Sequence, residues 1–379
     1  MRRRATTAIG SLGLRVGVVV VAVIGAAAGL RAETPVDLTT ATAGWLASLS
    51  DEQRDDAVYR FDDSERFDLR LAPFGLEGLR RDAMDEEQWQ AWRAVLATTL
   101  SGQGLHKVET AMSLEREVRQ RDRESWLGSL TGRFVHGEHR YFASVYGAPE
   151  SGTAWGLRFD GHHLSLNWTV APDGSISTTP LFIGAEPREV AAGWERAGLR
   201  VLAAEEDGGL AVWHALDPVQ RERARLEFAA ASGPGGGNRP LFLGAGGDLL
   251  QPGAPVGVAY RELSDEAQER LRALIGVYLS NFAAERAAER WAALEAAGLD
   301  AIHFAWAGSL NAGEPGYYRV HGPSFLIEWD DTMDAADHVH TIVRDFAGDF
   351  GRNPGRGSAR DPLAAHYRSR HRPLLASAY

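Results

Sequence analysis

Cysteine is absent from the 379-residue chain. That excludes disulfides, thiol nucleophiles, iron–sulfur clusters, thiolate zinc sites and covalently attached c-type haem. Lysine is nearly absent too: Lys107 is its single representative, and arginine carries almost all the positive charge. With 40 basic residues against 51 acidic ones, the formal net charge is −11. Nucleic-acid binding draws on clustered Lys and Arg, so a chain this acidic is expected to repel phosphate backbones, and its charge serves solubility. No apolar run reaches the roughly 20 residues of a spanning helix. No Gly-x-Ser-x-Gly elbow stands between a strand and a helix, and no His-Glu-x-x-His pair occurs.

What is present begins with the N-terminus. Arg2, Arg3, Arg4 and Arg15 precede an uncharged stretch from Val16 to Leu30, and small residues surround Ala28 and Ala32. A basic head, a short apolar stretch and small residues near a cut mark a secretory signal. Residues 1–32 are therefore read as a signal peptide. Residues 33–379 are read as one domain, periplasmic or secreted, with no stable membrane insertion after cleavage; an uncleaved anchor is the alternative. Cleavage removes Arg2, Arg3, Arg4, Arg15 and Arg31 and no acid, taking the formal charge to −16. The length that remains can bury a large core without disulfides.

Hydrophobic periodicity predicts the α+β class: a helical N-terminal region, then a mostly antiparallel sheet with helices packed on it. Short helices are expected over 41–49 and from Glu86, capped by Asp85, with Trp89, Trp92, Val95, Leu96 and Leu100 on one stripe. Residues 101–104 read as a break before a helix over 105–127. Strands follow at 134–136 and 140–146, then a single alternating run over 155–170, and a Pro172-Asp173-Gly174 turn into 175–183. Helices are expected over 187–203, 208–216 and 218–231. The glycine-rich loop 232–238 lacks the Lys-Ser/Thr of a phosphate cradle. One long helix capped by Ser264 runs to Ala297, and strands close the chain at 301–307, 317–321, 325–330 and 339–343. The two blocks of strands are expected to share one sheet.

Twelve histidines are present, and several fall in patterns. If 161–167 is one strand, His162 joins Leu164 and Leu166 on the core face, and His163 joins Ser165 and Asn167 on the polar face. Downstream, His338 and His340 share one side of a strand, as do Glu328 and Asp330. A hairpin across 331–337 sets Glu328 near His340 and Asp330 near His338. Imidazoles with a carboxylate on one face suit a divalent ion such as zinc, iron or copper. His163, His338, His340 and Glu328 are the candidate ligands. Alternation puts Tyr317, Arg319 and His321 on one face, where Arg319 and Tyr317 would position an anionic small-molecule substrate and Glu328 would serve as general base. The same residues also fit a metal-free pocket, or plain structural hydrogen bonds. The 11 tryptophans sit mostly on helical stripes or alternating strands, where core packing is the default over sugar stacking.

Several of these segments resemble domain-of-unknown-function family 3500. They are Gly161 to Asn167, Thr179-Pro180, Phe304 to Gly308, Tyr317-Tyr318-Arg319, Pro323 to Asp330, His338-Val339-His340, Arg344-Asp345-Phe346 and Gly348 to Gly351, with Glu65-Arg66-Phe67 and Gly78-Leu79 in the helical front. The usual Tyr-Asp-Asn-Thr-Gln stretch reads Trp329-Asp330-Asp331-Thr332-Met333 here. The resemblance implies one whole-length domain, often exported, and implies no reaction. Three expectations follow. The first is an exported divalent-metal protein, an enzyme of the hydrolase or oxidoreductase type. The second is a metal-free module for a solute or a partner protein, and the third a metal-independent hydrolase built on a His–carboxylate pair.

Overall fold

The computed structural model describes residues 37–69, 75–124, 137–227, 253–333, 336–346 and 348–351. The expected signal, the strand at 134–136, the helix ends at 125–127 and 228–231, and the loop 232–238 lie outside these residues. All the elements below belong to the unit Val36–Tyr379.

Eight helices occur among the described residues: α1 (Leu38–Ala47), α2 (Asp51–Ala57), α3 (Glu86–Ala97), α4 (Gly102–Glu124), α5 (Ala203–Ala215), α6 (Pro218–Ala224), α7 (Asp265–Leu279) and α8 (Ala284–Ala297). Local chemistry accounts for their starts. Asp85, Ser50 and Asp217 each accept a hydrogen bond from the backbone N–H three residues on, and Gln88, Gln53 and Gln220 reach back to complete reciprocal caps. Each such cap is worth about 1 kcal/mol. Ser264 caps α7 through the N–H of Ala267 alone. The stripe of α3 is buried as expected: Trp92 packs against Trp45 of α1 at 4.5 Å and against Phe159 at 5.8 Å between ring centroids.

The strands are β1 (Val58–Tyr59), β2 (Leu79–Arg80), β3 (Tyr141–Tyr146), β4 (Trp155–Gly161), β5 (Leu164–Val170), β6 (Ile176–Ser177), β7 (Leu181–Ala185), β8 (Val258–Ala259), β9 (His303–Gly308), β10 (Gly316–His321), β11 (Phe325–Met333) and β12 (His338–Asp345). They form one sheet in the order β1-β3-β4-β5-β7-β12-β11-β10-β9-β8, with β2 on β3 and β6 on β5. Every pairing is antiparallel except β1 with β3. The two sequence blocks join where β7 meets β12, with Phe182 opposite Ile342 and Ala185 opposite Val339. The class is α+β, as expected.

Both faces of this sheet are buried, and they differ in chemistry. One carries the main core: Tyr141, Leu157, Phe159, Leu166, Ile183, Ile327, Trp329 and Val343, under the helices. The other carries buried Arg158, Asp160, Asn167, Arg319, Glu328, His340 and Arg344, with a smaller apolar cluster of Phe67, Leu69, Phe182, Tyr317, Ile342 and Phe350. Its charges are paired: Arg158 lies 2.8 Å from Asp160 and 2.7 Å from Glu65, and Arg344 pairs with Asp349. Unpaired, such groups would cost several kcal/mol each.

Four sequence readings are corrected. The run 155–170 is a hairpin, turning at His162-His163 with Gly161 opposite Leu164. Residues 187–203 form turns, and α5 starts at Ala203. The helix from Ser264 is two helices, broken where Leu100 bridges Phe282 and Ala283 N–H donates to Thr99. Gly102 opens α4 instead of breaking it. Gly104 is there for contact: a Cβ on it would lie 2.0 Å from the carbonyl oxygen of Asn281.

Candidate metal centre

One end of the sheet gathers the β4–β5 turn, the C-terminal end of β7 and the N-terminal end of β12, because these strands are paired neighbours that run in alternating directions. The turn is two residues long, so it needs a left-handed conformation; His163 takes it, with φ of 67°. Histidine is among the non-glycine residues that tolerate that region. Gly161 gives the turn room, since a Cβ there would strike the Tyr141 ring at 2.2 Å, and Tyr141 Oη donates to the carbonyl of His162 at 2.8 Å. Instead of alternating across a strand, the two imidazoles stack with centroids 3.7 Å apart.

His162, His163, Glu186 and His338 each place a ligand atom within 4.8 Å of all the others. His163 Nε2 lies 2.5 Å from His338 Nε2, and His338 Nδ1 lies 3.6 Å from Glu186 Oε2. Glu115, from the middle of α4, stands behind the turn: its Oε1 is 2.7 Å from His162 Nδ1 and 3.8 Å from His163 Nδ1. Its other oxygen accepts the N–H of Gly137 at 3.2 Å. A carboxylate on Nδ1 fixes the tautomer and leaves Nε2 for an ion. Gly184 makes room on the other side. A Cβ on it would sit 2.7 Å from His163 Cδ2 and 2.9 Å from His340 Cδ2.

Three imidazole nitrogens and a carboxylate, three of the four residues buried, are a donor set for zinc, iron or copper. Two nitrogens on one tetrahedral ion at bonds of about 2.0–2.1 Å stand roughly 3.3 Å apart. The 2.5 Å between His163 and His338 is instead the spacing of a shared hydrogen. The residues fit an ion once these two rings part by about 0.8 Å. Of the four, His338 is the most open, with 12% of its side chain exposed.

Of the expected ligands, His163 and His338 lie in this group. His340 flanks it, its ring 4.6 Å from His338 and 5.6 Å from His163, packed on Phe182. Burial first, then the neighbouring His338 and His162, hold the His340 imidazole well below its usual pKa, so it is neutral. Glu328 lies elsewhere. The expected hairpin register is two residues off: Glu328 faces Ile342, Asp330 faces His340, and Met333 faces His338 across a bulge. The strand runs on through Asp331 and Thr332, where the sequence predicts a turn. Glu328 accepts a hydrogen bond from Tyr317, whose hydroxyl also accepts from Arg319 Nε at 2.7 Å. Tyr317, Arg319 and Glu328 thus form one buried trio on the polar face, and burial holds the Tyr317 hydroxyl protonated.

His162, Glu186 and Glu115, which alternation and spacing do not single out, also stand in or against the group of His163 and His338. Glu115 carried a signal: it falls at helical spacing from Val108, Met112 and Val118 on a stripe that is otherwise apolar, and it is 1% exposed. An acid on a core stripe needs a partner.

The profile of the family described as Protein of unknown function (DUF3500) matches residues 32–352. The chain belongs to this family. The match spans the whole DUF3500 sheet and all the residues of the cluster. No curated protein and no solved structure matches.

Proposed function

We propose that this DUF3500 protein is an exported divalent-metal protein whose ion is held by His162, His163, His338 and Glu186. Glu115 orients the two turn imidazoles, and His340 supplies a neutral, apolar-backed wall. The observation that carries the reading is the convergence of four donors within 4.8 Å, three of them buried. Glu186 takes the place that the sequence suggested for Glu328, which accepts a hydrogen bond from Tyr317. A divalent ion in such a set lowers the pKa of a bound water for hydrolysis, or supports redox chemistry if it is iron or copper. Export rests on the basic head and short apolar stretch of residues 1–32. The acidic balance supports a small-molecule ligand over nucleic acid.

The test is elemental analysis of protein purified without a histidine tag. One equivalent of zinc, iron or copper is expected, and none in His163→Ala/His338→Ala. Absence of metal after reconstitution, or full loading of the double variant, overturns the assignment. One observation favours a second reading: the 2.7 Å His162–Glu115 pair is a metal-free acid–base couple in its own right. Activity that survives chelation would select it.

A further inference from the structure

The loops at the cluster's end of the sheet also enclose an open cleft of about 610 Å³, lined by Arg188, Glu189, Val190, Gly313, Ala336 and Asp337 among others. Arg188 lies two residues from Glu186, and Asp337 is next to His338. Their Cα atoms are therefore within about 7 Å and about 4 Å of those of two proposed ligands. The N–H of Arg188 donates to the carbonyl of Asp337 at 3.1 Å, tying the two walls together. Two residues of the cleft wall are thus close chain neighbours of two proposed ligands, Glu186 and His338, and His338 is the most open of the four.

Among the described residues lining the cleft, Arg188 is the only cation. Its guanidinium is fixed: Nη1 donates to both carboxylate oxygens of Glu206, at 2.9 and 3.1 Å, and Nε lies 3.6 Å from Asp331. Nη2 is held less closely. It pairs with Glu189 at 3.7 Å, beyond hydrogen-bond distance, on a side chain 47% exposed. Nη2 faces Gly313, where an added Cβ would stand 3.3 Å away. Glu206 also accepts at 2.8 Å from Arg200, which donates to Asp207 as well. A pre-positioned guanidinium with one amino edge turned to a cleft is built to receive an oxyanion.

We propose that this cleft is the substrate site of the metal centre and that its ligand carries a carboxylate, bound by Arg188 Nη2, while the rest of the ligand extends toward His338 and Glu186. The second half rests on the metal reading. Carboxylate capture needs Arg188 alone.

The experiment is calorimetric titration of the full mature protein, zinc-loaded and metal-free, with succinate as the anionic probe and 1,4-diaminobutane as its cationic counterpart. Succinate binding is expected in both forms, tighter with zinc, and diaminobutane binding in neither. Arg188→Gln weakens succinate roughly tenfold or more, the loss of one charge-assisted hydrogen bond. Arg188 also braces Glu206, so a second variant is needed. Gly313→Asn keeps the left-handed backbone that asparagine tolerates, fills the space beside Nη2, and weakens succinate similarly with an unchanged melting temperature. Absence of succinate binding, insensitivity to both variants, or preference for diaminobutane overturns the proposal. Zinc content, measured in parallel, separates the two readings. Arg188-dependent binding without zinc uptake sinks the metal centre and leaves the cleft; zinc uptake without succinate binding does the reverse.

Discussion

Replacing Gly184 by alanine tests whether the imidazole cluster is a built site. The new methyl would lie 2.7 Å from His163 Cδ2, 2.9 Å from His340 Cδ2 and 3.0 Å from the Val339 carbonyl oxygen. Ordinary carbon contacts are about 3.5–4.0 Å, so each ring must retreat by close to 1 Å. The Val339 oxygen is part of a β-ladder and cannot yield in their place. His340 is wedged against Phe182 at 5.3 Å, and His163 is stacked on His162 at 3.7 Å, which leaves the displaced rings little space. Overpacking of this kind costs about 1–3 kcal/mol. Part of that cost falls on the donors, so zinc affinity should drop by about 10–100-fold, the range seen when the support of ligating histidines is disturbed. The assay is competition against a chromophoric chelator, with thermal melting alongside. Gly276→Ala is the control, because nothing lies within 4 Å of its added Cβ in α7; it should leave zinc affinity alone. Wild-type affinity and melting temperature in Gly184→Ala would refute the reasoning.

Glu115→Gln keeps the shape behind the turn but loses the charge that holds His162; zinc affinity should fall about 10–100-fold with the fold intact, read by the same competition. Lys107 and Glu205 form a buried pair at 2.5 Å. Lys107→Met should therefore destabilise by about 3–5 kcal/mol, with Lys107→Met/Glu205→Leu recovering most of it, measured by urea unfolding. His321 is pushed down to about 4, first by burial and then by the Arg319 and His303 charges. The unfolded chain then binds a proton near pH 6.5 that the folded one refuses. Stability is full above that pH and falls as pH drops toward 4, by about 2 kcal/mol once solvent screening reduces the effect of the shift. His321→Asn should flatten that limb of the unfolding midpoint against pH, and an unchanged slope would remove His321 as its source.

How much of the fold could be read in advance depended on how local the cause was. Asp85 and Ser264 announced their helices because a cap is settled within four residues, and the α3 stripe of Trp89, Trp92, Val95 and Leu96 faces the core as its spacing demands. The failures involve distant partners. Gly102 and Gly104 look like a helix break, yet Gly104 is small because Asn281 passes over it. The long helix from Ser264 stops at Leu279 because the chain around Phe282 pairs with Leu100. Nothing within 264–297 records that contact.

The site was half legible for a related reason. Alternation sorts residues correctly while a strand lasts: Tyr317, Arg319 and Glu328 do meet on one face. It fails where the chain turns, and a two-residue turn is invisible in a run whose two faces are both buried. With one face apolar and the other lined with paired charges, β4 and β5 read as one continuous strand, so His162 and His163 were sent to opposite sides. The turn brings them together, and pairing of β5 with β7 and of β7 with β12 brings Glu186 and His338 beside them. Glu115 comes from a helix 47 residues before His162. A donor set drawn from a turn and two strand ends, with its support on a helix, has no spacing of its own to recognise. What the sequence does show is each member out of place locally: an acid on an apolar helical stripe, paired histidines after a glycine, a glutamate directly after a buried strand. Such misfits are costly alone and make sense only in company. Their convergence at one end of the sheet is therefore a stronger indication of a site than the His-x-His spacing of His338 and His340.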